Sequence, residues 1–234
     1  MRAGRRLVIL ACLLPLAAGC GSDSGSSEPS KLSGVQPAGV YEYDTSGSER
    51  IGGPLPGRHR YGPHSTISVN IAGCRLTERW DAVPERWTEW SYCVTGDLWQ
   101  LESVTDHHEF FGQVEEYSYR CSGREVPRPA QIKVGFRWTD RCRARRITAV
   151  GRGQVVAIEP IRAAGKTAEA VHLRVRASLE GRVTGAYVMD TWLRRADGLL
   201  LRRTFASRTR LRSVVGTVPD QERYTLAIRS LTPR

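Results

Sequence analysis

Residues 171–180 read Val171-His172-Leu173-Arg174-Val175-Arg176-Ala177-Ser178-Leu179-Glu180. Apolar side chains hold every odd position and polar ones every even position. A period of two specifies a strand with one buried face and one wet face. The same period recurs outward from this stretch. Ile132, Val134, Phe136 and Trp138 alternate with Lys133, Gly135, Arg137 and Thr139. Tyr187 to Arg195 runs into Ala196-Asp197-Gly198, a hairpin turn, and Leu199 to Phe205 runs back. Ile67/Val69/Ile71, Trp90/Tyr92/Val94, Trp99/Leu101/Ser103, Tyr117/Tyr119/Cys121 and Tyr224/Leu226/Ile228 repeat the pattern. Helical stretches are few: Asp81 to Trp90, broken by Pro84, and a short turn at Lys166 to Ala170. One-sided alternation fits antiparallel sheet better than buried parallel sheet. The expected fold is mainly β: a single large antiparallel sheet curled as a half-barrel or sandwich, with few short helices.

The chain has 234 residues, 35 Lys+Arg against 24 Asp+Glu, and a formal charge of +11. With 40% hydrophobic residues it is too apolar to be wholly disordered. No apolar run reaches the length of an ordinary membrane-spanning helix. The charge is uneven. Residues 20–120 carry 15 acidic and 8 basic groups, and residues 121–234 carry 9 acidic and 24 basic. A basic half raises nucleic acid as a partner. The N-terminus argues against that, because it reads as an export signal.

Arg2, Arg5 and Arg6 precede an apolar stretch, Leu7 to Ala18, and then Leu16-Ala17-Ala18-Gly19-Cys20. A positive start, a short apolar core and small residues before a cut site describe an export signal. The ending resembles the lipobox of bacterial lipoproteins. In that family the cysteine takes a diacylglyceryl thioether and becomes the first residue of the mature chain. Ala17 stands where the family usually has a larger residue. The resemblance implies a signal peptide over 1–19, lipidation at Cys20, and a lipid anchor on the outer, extracytoplasmic face of the cell membrane. Residues 20–34 continue with six Ser and three Gly, a flexible tether of roughly 20 Å. The remaining domain spans 35–234, with possible halves 35–121 and 131–234 around a Pro-containing loop. Arginine far outnumbers lysine, which occurs only as Lys31, Lys133 and Lys166. That bias points to a GC-rich, actinobacterial genome.

Setting aside Cys12 in the signal and Cys20, four cysteines remain: Cys74, Cys93, Cys121 and Cys142. An even number in an exported domain suggests disulfides, and no C-x-x-C spacing points to zinc or redox chemistry. Four cysteines allow three pairings. Neighbouring strands favour Cys74–Cys93 and Cys121–Cys142.

Candidate chemistry is sparse. Asp106-His107-His108-Glu109 has metal-ligating types, but adjacent residues diverge and a third spaced ligand is missing. It reads as a polar loop before Phe110-Phe111-Gly112. His59 and His64 lie in a Gly/Pro-rich stretch. No nucleophile elbow, zinc-protease, P-loop or dinucleotide motif occurs. The expectation is therefore no enzyme, no catalytic residue, no metal and no cofactor. A basic outer face is expected from His172, Arg174 and Arg176 on one strand and Arg208, Arg210 and Arg212 on another. It would suit anionic headgroups or wall polymer.

The run from Gly73-Cys74 through Trp80, Glu85-Arg86, Cys93 and Phe110-Phe111-Gly112 to Tyr119-Arg120-Cys121 is similar to actinobacterial secreted or lipoprotein families of unknown function. The architecture as a whole resembles lipid-binding lipoproteins of the unclosed-barrel kind, the lipoprotein-carrier and mycobacterial glycolipid-transfer groups. Those proteins cover the sheet with helices, which this sequence does not offer. The resemblance implies an envelope lipoprotein that binds a lipid or other apolar ligand. Pocket candidates are Val134, Phe136, Trp138, Leu173, Val175, Tyr187 and Leu226, with Trp90 or Trp99 near the mouth. The alternative is a non-enzymatic interaction or scaffold module for wall polymer or a partner protein.

Overall fold

A computed structural model describes residues 34–53, 56–213 and 216–234. The signal peptide, Cys20 and all of the tether before Gly34 lie outside the described residues. Fourteen strands follow in chain order: β1 Gly39–Ile51, β2 Gly57–Tyr61, β3 His64–Ala72, β4 Arg75–Val83, β5 Arg86–Thr95, β6 Leu98–Phe110 and β7 Gln113–Gly123, then β8 Val126–Pro127, β9 Arg137–Ala144, β10 Ile147–Ala163, β11 Lys166–Gly181, β12 Val183–Arg194, β13 Leu200–Ser213 and β14 Gly216–Ile228.

Every pairing is antiparallel, and consecutive strands are mostly neighbours. β1 decides the architecture. Tyr43–Ile51 pairs with β14 on one side. Gly39–Asp44 pairs with β3, and Gly47–Ile51 with β2, on the other. The last strand therefore closes onto the first. Apart from β2 and β8, which sit beside β1 and β6, twelve strands form a closed antiparallel barrel.

This corrects the half-barrel or sandwich, and no helix occurs among the described residues. Asp81 to Trp90 is the β4–β5 hairpin, and Lys166 to Ala170 begins β11. Closure pairs both edges of the sheet, so no covering helix is needed to protect them. Two other readings change. Residues 132–136 form no strand, and β9 starts at Arg137. Asp106 to Glu109, His59 and His64 lie in strands, β6, β2 and β3, rather than loops.

Call the end holding Gly39 and Ile228 the lower end. It is sealed by its own chain. Val35 and Gln36 are buried there, Gln36 N–H donates to the Asp197 carbonyl (2.9 Å), and Leu199, Leu200 and Leu201 are 1% exposed. Gly198, at φ +78°, lies under the Trp99 ring, where a Cβ would come 2.3 Å from Cη2. Above this floor one side of the barrel is packed solid by Tyr41, Tyr43, Ile67, Leu76, Trp80 and Leu226, all at most 1% exposed.

The wall is least continuous between β7 and β9. Only Arg120–Gly123 pairs there with Asp140–Arg143, whereas β10 and β11 pair along nearly their full length. Cys121 and Cys142 face each other inside this short seam and form a disulfide. Cys74 and Cys93 form the second, beside the β4–β5 ladder. Both match the pairing that strand adjacency favours.

Candidate functional site

An eight-stranded barrel is just filled by its own side chains; twelve strands enclose more room. Here the extra room remains as a cavity of about 650 Å³. Its lining reaches from Trp99, Trp138 and Glu78 near the floor to Ile51, Gly52, Phe111 and Gln113 at the upper rim. Phe111 is 62% exposed, and it marks the mouth. Aromatic and aliphatic side chains form most of the middle: Trp90, Tyr92, Tyr119, Tyr187, Phe205 and Tyr224 with Leu173, Val175 and Met189. Trp138 can lie flat on the wall because residue 153 is glycine; a Cβ at Gly153 would come 2.1 Å from the indole.

Of the pocket candidates, Trp90, Trp99, Trp138, Leu173, Val175 and Tyr187 line this cavity, with Trp99 at its floor rather than its mouth. Three do not. Val134 is 58% exposed on the connection before β9. Phe136 packs on Ile132, Trp138 and the Arg124 guanidinium. Leu226 is fully buried in the solid side of the core.

The cavity also has two polar poles that the sequence reading missed. The upper pole centres on Arg86, buried between β5 and β14. Its Nε and Nη2 donate to Glu222 Oε1 and Oε2, each at 3.1 Å, and its Nη1 donates to Thr88 Oγ1 at 2.7 Å. Tyr61 donates its hydroxyl to the same Glu222 (2.8 Å), and Thr88 to Asp106 (2.8 Å). Glu49 sits between His59 Nδ1 (3.2 Å) and His108 Nδ1. Burial alone would raise the Glu49 carboxyl and lower the His108 imidazole. Their mutual attraction prevails, so Glu49 is held low and His108 is raised, as a buried ion pair. Asp220 completes the pole. Burial and the Glu49 charge push it up to about 7, and its Oδ1 has no hydrogen-bond partner.

His107 and Glu109 point outward, where His107 stacks on Trp87. The Asp106–Glu109 run is therefore split between the two faces. No three His, Cys, Asp or Glu side chains are placed to hold a metal ion among the described residues.

The lower pole is Glu78 with Arg203. Gln36 Nε2 donates to Glu78 Oε1 at 2.6 Å. Arg203 lies 3.9 Å from Glu78 and 4.3 Å above the Trp90 ring. The signal for both poles was present in phase rather than in hydropathy. Glu222 and Asp220 share the face of Tyr224, and Arg203 shares the face of Phe205.

The outer surface carries the basic residues. Arg176, Arg208, Arg210 and Arg212 are exposed. Arg174 and His172 both meet Asp190, each at 2.7 Å, and His172 is buried against Trp192. Burial would raise Asp190, but these two partners hold it below its ordinary value. His172 and Arg174 are thus committed to an internal pair, while the other four face solvent.

No protein-family profile, curated protein or solved structure matches this chain.

Proposed function

We propose that this protein is an envelope lipoprotein, anchored through Cys20 at the outer face of the membrane, whose barrel binds a lipid or other apolar ligand. The observation that carries the reading is the cavity of about 650 Å³ behind a sealed floor. Small-molecule sites are concave, mostly apolar and of this size, with a few convergent polar groups. The aromatic middle and the two polar poles fit that description. The disulfides agree with an oxidising compartment. The described outer strands carry charges such as Arg141, Arg143 and Arg152, which favours water over lipid around the wall.

The test uses the full chain carrying Cys20→Ala, so that no acyl group of its own can enter the barrel. Native mass spectrometry and organic extraction of protein purified from its host should reveal a co-purifying apolar molecule. Val175→Trp, which fills the cavity, should remove it without unfolding the domain. A folded protein with no bound mass and no tryptophan response to added lipids would favour the interaction-module reading.

A further inference from the structure

Among the cations lining the cavity, Arg86 is fully engaged and His108 is paired with Glu49. Arg203 differs. It is 3% exposed, yet its Nε and Nη1 have no hydrogen-bond partner. Those two nitrogens carry three of the five guanidinium N–H bonds. Nη2 faces Glu78 Oε2 at 3.9 Å, beyond hydrogen-bond reach. Trp90 covers one face of the group, leaving its edges to donate. Trp99, which also lines the cavity, holds a further buried donor without an acceptor at its Nε1. A buried charge with unmet donors is costly. An occupant that supplies acceptor oxygens would relieve that cost.

The rest of the cavity says where such an occupant's charge can go. The upper pole gathers four carboxyl groups, Glu49, Asp106, Asp220 and Glu222, around Arg86 and His108. An anionic group would be repelled there. At the lower pole a single guanidinium faces the aromatic belt. Its nearest carboxyl, Glu78, is raised by burial against the pull of Arg203, which weakens its competition. Arginine forks bind planar two-oxygen anions well, and a singly charged head matches a single buried cation.

Building on the apolar-ligand reading above, we infer that Arg203 is an anion-binding residue at the base of the cavity, and that the ligand is a long-chain carboxylate inserted head first. The chain would then lie along the aromatic belt toward the mouth at Phe111.

The experiment compares hexadecanoate, hexadecanol and hexadecyl phosphate on the full chain carrying Cys20→Ala, by tryptophan fluorescence titration and native mass spectrometry. Wild-type Arg203 should bind the acid at least tenfold tighter than the alcohol. Arg203→Gln should abolish that difference and leave alcohol binding unchanged. With carboxyl-13C hexadecanoate, the bound head should stay ionised at a pH that protonates the free acid. This reading needs no variant to fold. Equal binding of acid and alcohol, or an acid preference that survives Arg203→Gln, would overturn the assignment. Tighter binding of the phosphate than of the acid would overturn the carboxylate class. Failure of all three probes to bind would instead count against the apolar-ligand reading itself.

Discussion

Asp220 gives the fold a pH dependence that can be worked out in advance. Its carboxyl is half-buried on β14, with Oδ2 accepting from Thr209 Oγ1 (3.1 Å) and Oδ1 unpartnered. Glu49 and Glu222 disfavour its charge, and His108 favours it, with burial the largest influence. The result is a folded value of about 7 against an ordinary 3.8. A raised carboxyl binds more protons folded than unfolded. The contribution of Asp220 to stability must therefore fall as pH rises from about 4 to about 7. The gap sets a ceiling of about 4 kcal/mol at 1.36 kcal/mol per pH unit. Solvent reaching the carboxyl reduces this, and about 1–3 kcal/mol is expected. Asp220→Asn removes the titration and keeps the shape. Urea denaturation of both proteins at pH 4.5, 6 and 8, followed by tryptophan fluorescence, should show the variant gaining on the wild type as pH rises. Parallel profiles would refute the reasoning, as would a variant that loses ground at high pH.

Removing one member of the buried Arg86–Glu222 pair, as Arg86→Met, should cost about 3–5 kcal/mol in denaturant melts, and Arg86→Met/Glu222→Leu should cost less than the single change. The Cys121–Cys142 and Cys74–Cys93 bridges span 21 and 19 residues, so loop entropy gives each about 3 kcal/mol. Only loss of the first should also speed amide exchange across Arg120–Gly123 and Asp140–Arg143, measured by mass spectrometry. Cys20→Ala should move the protein from the membrane fraction to the medium, or block its processing; equal membrane association of both forms would reject lipidation. Vesicle co-sedimentation of the unlipidated chain should show binding to anionic lipid only, weakened by salt and by Arg208→Ala/Arg210→Ala/Arg212→Ala.

The strands that packed apolar residues inward were legible from alternation, and so were the hairpin turn at Asp197-Gly198 and the pairing of the cysteines. What alternation could not show was closure. β1 is the closing strand, and its inward positions include Thr45, Gly47 and Glu49, which do not read as a buried face. Hydropathy detects a core only where the core is apolar. A cavity wall that must hold charges violates that rule at the positions that define the site: Glu49, Arg203, Asp220 and Glu222. Val134 failed in the opposite way. It is apolar and in phase, but Lys133–Phe136 closes a turn (3.1 Å between the Phe136 N and Lys133 O) that leaves its side chain in water.

The sealed floor also sets the mouth apart from both ends of the described chain. The chain enters beside Gln36 and leaves beside Val40, whose backbone exchanges hydrogen bonds with Arg234. Both ends of the described chain therefore sit at the base, and the mouth lies at the far end of strands such as the 13-residue β1, about 40 Å along the strand. Attachment through the N-terminus would hold the barrel by its closed end. With the anchor proposed at Cys20, the opening would lie at the end of the barrel away from the point of attachment. Cargo passed from an anchoring membrane would then have to travel to the end of the barrel farthest from the anchor, and cargo from an incoming donor would not. A reporter fused to Arg234 would stand beside Val40 at the base and leave the opening clear.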